Sequence, residues 1–121
     1  MNETICIDFD GVIHSYTSRW EGPETIPDPP VDGAFDAIKT YLAAGYKVCI
    51  LSTRNYQTNG PLCMVEWFEK YGFDRELLYR VSFPTYKPPA ILYIDDRGYH
   101  FKGTFPDVEF IENFKPWNKK S

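Results

Sequence analysis

The chain alternates short apolar runs with polar loops and amphipathic stretches. The first run, Ile5-Cys6-Ile7, lies in a segment, residues 3 to 9, that reads as a buried strand. Residues 14 to 32 have no periodicity, and Pro23, Pro27, Pro29 and Pro30 forbid a continuous helix there. From Asp32 to Ala44 the spacing of Phe35, Ile38, Tyr41 and Leu42 predicts a helix, with Gly45 placed to close it. Lys47 to Leu51 predicts a second strand, followed by a polar loop over 52 to 60. Asn59 or Gly60 would cap a second helix with Pro61 in its first turn and Leu62, Val65 and Phe68 along its stripe; Gly72 would end it. Asp74 would cap a short turn running to Leu78. Tyr79 to Phe83 and Ile91 to Ile94 predict a third and a fourth strand, and Val108 to Ile111 another short one in the tail.

Strands alternating with helices imply βαβ units and a mainly parallel α/β sheet. In such sheets ligands sit beyond the carboxyl ends of the strands. The polar residues of interest fall at those ends: Asp8 and Asp10, Ser52 and Thr53, Asp95 and Asp96. Asp8 and Asp10, one residue apart, point to the same side of an extended backbone. Two anions held that close need a cation or a shared proton. A second acidic pair, Asp95-Asp96, ends the run Ile91 to Ile94, which suggests that both pairs share one metal site.

Composition narrows the classes. The chain has 121 residues, 43% apolar, 25% charged and 17% aromatic, which fits one globular domain spanning 1 to 121. A net charge of −4 gives no broad basic field of the kind that coats duplex nucleic acid. Cys6, Cys49 and Cys63 are odd in number and scattered, so neither a disulfide framework nor a zinc site is expected. No segment reaches the roughly 20 apolar residues of a membrane span, and no leader-like stretch opens the chain, so the expected setting is cytoplasmic.

The residues fit phosphate-ester cleavage, which needs a nucleophile, a proton donor and positive charge on the phosphoryl oxygens. Asp8 would attack, Asp10 would exchange a proton with the leaving group, Ser52 would donate to a phosphoryl oxygen, and Lys87 would neutralise the transferring group. Asp95 and Asp96 would complete a hard oxygen shell for Mg²⁺. Arg54 suits a second phosphate or a nucleic-acid backbone, or equally a surface ion pair. His14, in the irregular loop near the acids, could polarise Asp10 or touch substrate, although a surface histidine is the simpler reading. Trp20, Tyr16, Tyr56 and Tyr86 could stack a base, although packing is the simpler role for any one of them.

Asp-Phe-Asp-Gly-Val at 8 to 12, a strand ending in Ser52, Lys87, and Ile94-Asp95-Asp96-Arg97 resemble, in order and spacing, the four motifs of the haloacid dehalogenase superfamily. The resemblance implies a Rossmann-like three-layer sandwich and an aspartyl-phosphate intermediate. Asp8 would be the nucleophile and Asp10 the acid/base. Mg²⁺ would be held by Asp8, the Asp10 backbone carbonyl and the late acidic pair. Ser52-Thr53-Arg54 is similar to the Ser-Gly-Arg turn of polynucleotide 3′-phosphatase domains, with Thr53 in place of the glycine, so either Ser52 or Thr53 would contact phosphate. The late acidic motif is similar to that branch and to the deoxyribonucleotidases. The implied substrate is a nucleotide, another phosphorylated small molecule or a nucleic-acid end. There is no room for a large cap; residues 14 to 32 and the segment after Asp96 are the candidate lids, and so open a site is compatible with a homodimer. A phospho-receiver module and a non-catalytic binding protein are the alternatives. A receiver carries its paired acids after the first strand, whereas here the consecutive pair comes late.

Overall fold

The computed structural model describes residues 3–118. Four strands, β1 (Thr4–Asp8), β2 (Lys47–Leu51), β3 (Val81–Ser82) and β4 (Leu92–Ile94), form one sheet in the order β3-β2-β1-β4. All pairings are parallel. The helices are α1 (Ala34–Ala43), α2 (Gly60–Lys70), α3 (Arg75–Leu78) and α4 (Val108–Asn113), with a 3₁₀ turn over Thr53–Tyr56 directly after β2. The α/β reading of the sequence therefore stands.

Register assigns the two faces of the sheet. Ile5 and Ile7 align with Val48 and Ile50 on one side and with Leu92 and Ile94 on the other. These side chains share one face, which α1 and α2 cover. Phe35 of α1 stacks on Phe68 of α2 with ring centroids 5.2 Å apart, so both long helices lie on that same face. Ile38, Leu42, Met64, Trp67 and Phe68 complete the buried core there. The opposite face carries Cys6, Cys49 and Asp8.

The three-layer expectation is corrected here. Among the described residues no long helix covers the second face, because the β3–β4 connection contains Pro84, Pro88 and Pro89 and cannot be helical. The loop carrying Lys87 borders that face instead, sharing a cleft with Cys6, Asp8, Leu51 and Tyr93. A second correction concerns the tail. Residues 108 to 111 belong to α4, whose N-cap Asp107 accepts a bond from the Phe110 N–H. An N-cap aspartate outweighs the β propensity of a single valine-aromatic run. Strand three is also shorter than expected, two residues instead of five, and Pro84 follows soon after.

The chain steps from β1 to β2 to β3 in one direction and then returns to place β4 on the other side of β1. The crevice between the carboxyl ends of β1 and β4 is thus a topological switch point. Asp8 and Asp95 leave the sheet side by side there, since Ile7 pairs with Ile94.

Candidate active site

Asp8 ends β1, and its Oδ1 accepts the Phe9 N–H at 2.8 Å. Gly11, with φ 86°, turns the chain sharply beyond it. That glycine is required twice over: by the left-handed backbone and by the Asp96 carboxylate, which occupies the space a Cβ would need. Asp96 thereby reaches the Asp8 carboxyl. Burial, opposed by the Phe9 hydrogen bond and reinforced by Asp96 and Asp10, pushes Asp8 up to about 7.

Asp10 is held quite differently. His14 Nδ1 lies 2.9 Å from its Oδ1. Arg54 donates to it from Nε at 3.0 Å and from Nη2 at 3.1 Å. Burial would raise the Asp10 pKa, but the His14 and Arg54 hydrogen bonds win and draw it below the usual carboxylate range. His14 Nε2 accepts the backbone N–H of Asp28 at 3.1 Å, which makes Nδ1 the protonated nitrogen that donates to Asp10.

Two sequence expectations fail at this clamp. His14 is fully buried, not at the surface, with Phe9, Trp67 and Tyr16 rings around it. Arg54 is also fully buried. Its Nη1 is spent on the carbonyls of Gly22, Pro23 and Thr25 at 3.0 to 3.2 Å. The guanidinium therefore fixes the 14–32 segment and Asp10, and it is not presented to a substrate. The 14–32 segment is pinned at His14, Asp28 and the Arg54 contacts, while Thr17 to Glu21 between them stay exposed. Ser18 binds Asp28 through its N–H and its hydroxyl, both at 2.7 Å, and Trp67 Nε1 donates to the Asp28 carbonyl at 2.9 Å.

The remaining residues surround Asp8. One cleft is lined by Asp8, Asp10, Tyr16, Trp20, Ser52, Thr53, Asp96 and Arg97 together with Asn118. A second is lined by Asp8, Ser52, Thr53, Tyr56 and Lys87. The two meet at Asp8, Ser52 and Thr53. Ser52 is the N-cap of the 3₁₀ turn, and its hydroxyl accepts the Arg54 N–H at 3.1 Å. Asn55 anchors that turn by donating to the carbonyls of Ile50 and Pro84. Lys87 stands with Nζ 4.4 Å from the Tyr93 ring centroid. Asp95 lines the Lys87 side, but its Oδ1 accepts from the N–H groups of Arg97 and Gly98 and so shapes the turn. Asp96 is the member of the late pair that faces Asp8. Tyr86 is exposed and lines neither cleft.

Among the described residues, no three Asp, Glu, His or Cys side chains form a metal-binding group. Asp8 and Asp96 still face each other as a hard-oxygen pair, and among the described residues no salt bridge holds either. Such a pair suits Mg²⁺, which binds through one or two carboxylates and keeps several waters.

The sequence offered the segment after Asp96 as a candidate lid but did not say where it docks. Trp117 Nε1 donates to the Gly11 carbonyl at 2.8 Å and Asn118 Nδ2 to the Ser15 carbonyl at 3.3 Å. Nothing in the local sequence signals this return. The contact of His14 with Asp10 was one of the readings the sequence left open; the burial of His14 was not.

No family model matches the chain, and no curated protein matches it. Among solved structures it is similar to one chain of the "Structure of Pnkp1/Rnl/Hen1 complex", at 18% identity and a TM-score of 0.52. The similarity covers 97% of this chain and 36% of that one, so the present chain spans about a third of its neighbour. At that identity the likeness is one of fold. No helix among the described residues is long and apolar enough to cross a membrane.

Proposed function

We propose that the chain is a Mg²⁺-dependent phosphomonoester hydrolase of the haloacid dehalogenase type, acting on a nucleotide or a nucleic-acid end. The observation that carries this reading is that two adjoining clefts, one lined by Asp10 and Asp96 and the other by Lys87, share Asp8, Ser52 and Thr53 beyond the carboxyl ends of β1 and β2. Asp8 and Asp96, with the Asp10 backbone carbonyl, would hold Mg²⁺. Bound there, the ion would keep Asp8 ionised and offset charge on the phosphoryl group.

An Asp8 oxygen forms a bond to phosphorus while the bond to the leaving oxygen breaks. The Ser52 hydroxyl and the Lys87 ammonium take the phosphoryl oxygens. The leaving oxygen takes a proton from Asp10, which has first taken it up from solvent as the substrate binds. The approaching phosphate is a like charge that raises the proton affinity of that carboxyl against the pull of His14 and Arg54. Asp10, now a carboxylate, then accepts a proton from water, whose oxygen displaces the phosphate from Asp8. The low pKa of Asp10 in the free protein suits it especially to this second, base-catalysed step.

The test is phosphate release from an aryl phosphate, nucleoside 5′- and 3′-monophosphates, 3′-phosphorylated oligonucleotides and sugar phosphates, with and without Mg²⁺. Metal-dependent turnover that Asp8→Asn abolishes in a folded protein is the expected result. No turnover on any substrate, or an acyl phosphate that persists for hours, overturns it.

A further inference from the structure

We propose that Trp20, backed by Tyr16, is the stacking platform for the base of a terminal nucleoside whose phosphate is removed; this rests on the hydrolase reading above.

The direction of the substrate follows from where Asp10 lies. Asp10 lines the cleft bounded by Tyr16 and Trp20 and does not line the cleft that holds Lys87. A leaving oxygen that exchanges a proton with Asp10 must sit on the Trp20 side. The phosphoryl oxygens then point toward Ser52 and Lys87, and the body of the alcohol runs along the aromatic wall. That cleft measures about 230 Å³, below the roughly 300 Å³ at which pockets begin to enclose a drug-sized ligand. It takes a phosphate and part of a sugar, and leaves a base lying along its open rim.

The rim is built for a flat ring. Trp20 remains 47% exposed, yet its indole is not loose. The Arg54 guanidinium lies 4.7 Å from its ring centroid, on a cation already fixed by three carbonyls of the same loop. One indole face is thereby held, and the exposed part of the ring is left for a partner. The backbone leading to it is unusual: Tyr16 and Arg19 have φ of 61° and 67°, in the left-handed region that non-glycine residues avoid. The Ser18–Asp28 bonds clamp the loop between them. Strain held by such clamps is characteristic of binding sites. Asn118 adds a polar group to the same cleft. Its Oδ1 is buried and, among the described residues, has no hydrogen-bond partner. A sugar hydroxyl or an exocyclic amine would satisfy it.

The test compares wild type, Trp20→Ala and Trp20→Phe on adenosine 5′-monophosphate, a 3′-phosphorylated dinucleotide and ribose 5-phosphate, all with Mg²⁺. Trp20→Ala should lower kcat/KM by about tenfold or more on whichever base-bearing substrate is used, through KM. It should leave ribose 5-phosphate unchanged, and Trp20→Phe should restore most of the loss. Preference between the two base-bearing substrates tells a free nucleotide from a strand end. An equal loss on all three substrates, or none, overturns the proposal. A second measurement separates it from the hydrolase reading: quenching of indole fluorescence in the Asp8→Asn protein by the same three compounds, with Asp8→Asn/Trp20→Phe as reference. Saturable Trp20-dependent quenching without wild-type turnover keeps the platform and removes the hydrolase. Turnover of ribose 5-phosphate without quenching by either nucleotide does the reverse.

Discussion

The early and late acidic pairs of this chain are built on different principles. Asp10 is locked by His14 and Arg54, both fully buried, and through them by Asp28, Trp67 and the proline-rich segment. Asp95 and Asp96 ride on a turn after an edge strand whose Leu92 and Tyr93 are themselves exposed. Asp95 bonds to its own turn, and among the described residues no salt bridge holds Asp96 where it faces Asp8. One half of the site is therefore preorganised by protein contacts, and the other half waits for a counter-charge. A site of this kind should lose its fold when the first half is cut, and lose only its charge balance when the second is.

The largest effect tests the first half. Arg54→Ala leaves Asp10 and three loop carbonyls without their partner in a buried place. It should destabilise the protein by about 3–5 kcal/mol, as removal of one member of a buried ion pair does. Arg54→Lys should recover little, because an ammonium cannot reproduce the fork that spans Asp10 and the loop. Arg97→Ala, on the exposed turn, should stay within about 0.5 kcal/mol. Equal urea midpoints for the Arg54 and Arg97 variants would dissolve the contrast.

The next effect tests the second half. Asp8 titrates near 7 in the folded protein and near 4 when unfolded. Between those values the folded state holds a proton that the unfolded state has released, so rising pH favours unfolding. The Tm of the metal-free protein should fall from about pH 5 to about pH 8. Asp10 has the opposite sign: its depressed pKa adds stability above the ordinary carboxylate range that is lost on acidification. Mg²⁺ should abolish the fall at high pH by taking the place of the proton. A metal-free Tm that rises over this interval would show that neither burial nor the neighbouring Asp96 holds the proton on Asp8.

Asp96→Asn sharpens the same point with a smaller change. It removes the charge facing Asp8, so the metal-free protein at pH 8 should melt higher than wild type and lose its response to Mg²⁺. Asp95→Asn, which alters a turn-shaping carboxylate, should melt slightly lower and keep that response. Thermal melts of the two variants side by side decide which aspartate faces the nucleophile.

Much of this arrangement was legible in the sequence, and the illegible part has a physical pattern. Asp8, Asp10, Ser52 and Asp96 were readable because strand ends in a parallel sheet converge whatever the loops do. α1 and α2 were readable because Phe35, Ile38, Leu42, Val65 and Phe68 recur at helical spacing. Arg54 and His14 were misplaced because local sequence holds no record of burial: their partners, Gly22, Pro23, Thr25 and Asp28, lie in a segment without periodicity. The second helical layer was an implication of the family resemblance, and Pro84, Pro88 and Pro89 stand where a helix covering that face would have to run. The approach of Trp117 to Gly11 spans 106 residues and leaves no trace in either neighbourhood.

The smallest effect probes how Lys87 is held on the weakly built side. Its loop is exposed, and the contacts that position it run through Tyr93: the ring under Nζ at 4.4 Å and the phenol donating to the Pro88 carbonyl at 2.6 Å. An exposed cation–π contact and an exposed hydrogen bond are each worth about 1 kcal/mol or less, so neither Tyr93 variant should shift the urea midpoint much. Their kinetics should separate. Tyr93→Phe keeps the ring and should keep Lys87 over it, whereas Tyr93→Leu removes the ring quadrupole and frees the ammonium. If Lys87 neutralises the transferring phosphoryl group, Tyr93→Leu should lower kcat severalfold with stability nearly unchanged, while Tyr93→Phe stays close to wild type. Identical kinetics in the two variants would mean that Lys87 finds the phosphate without being guided by the ring.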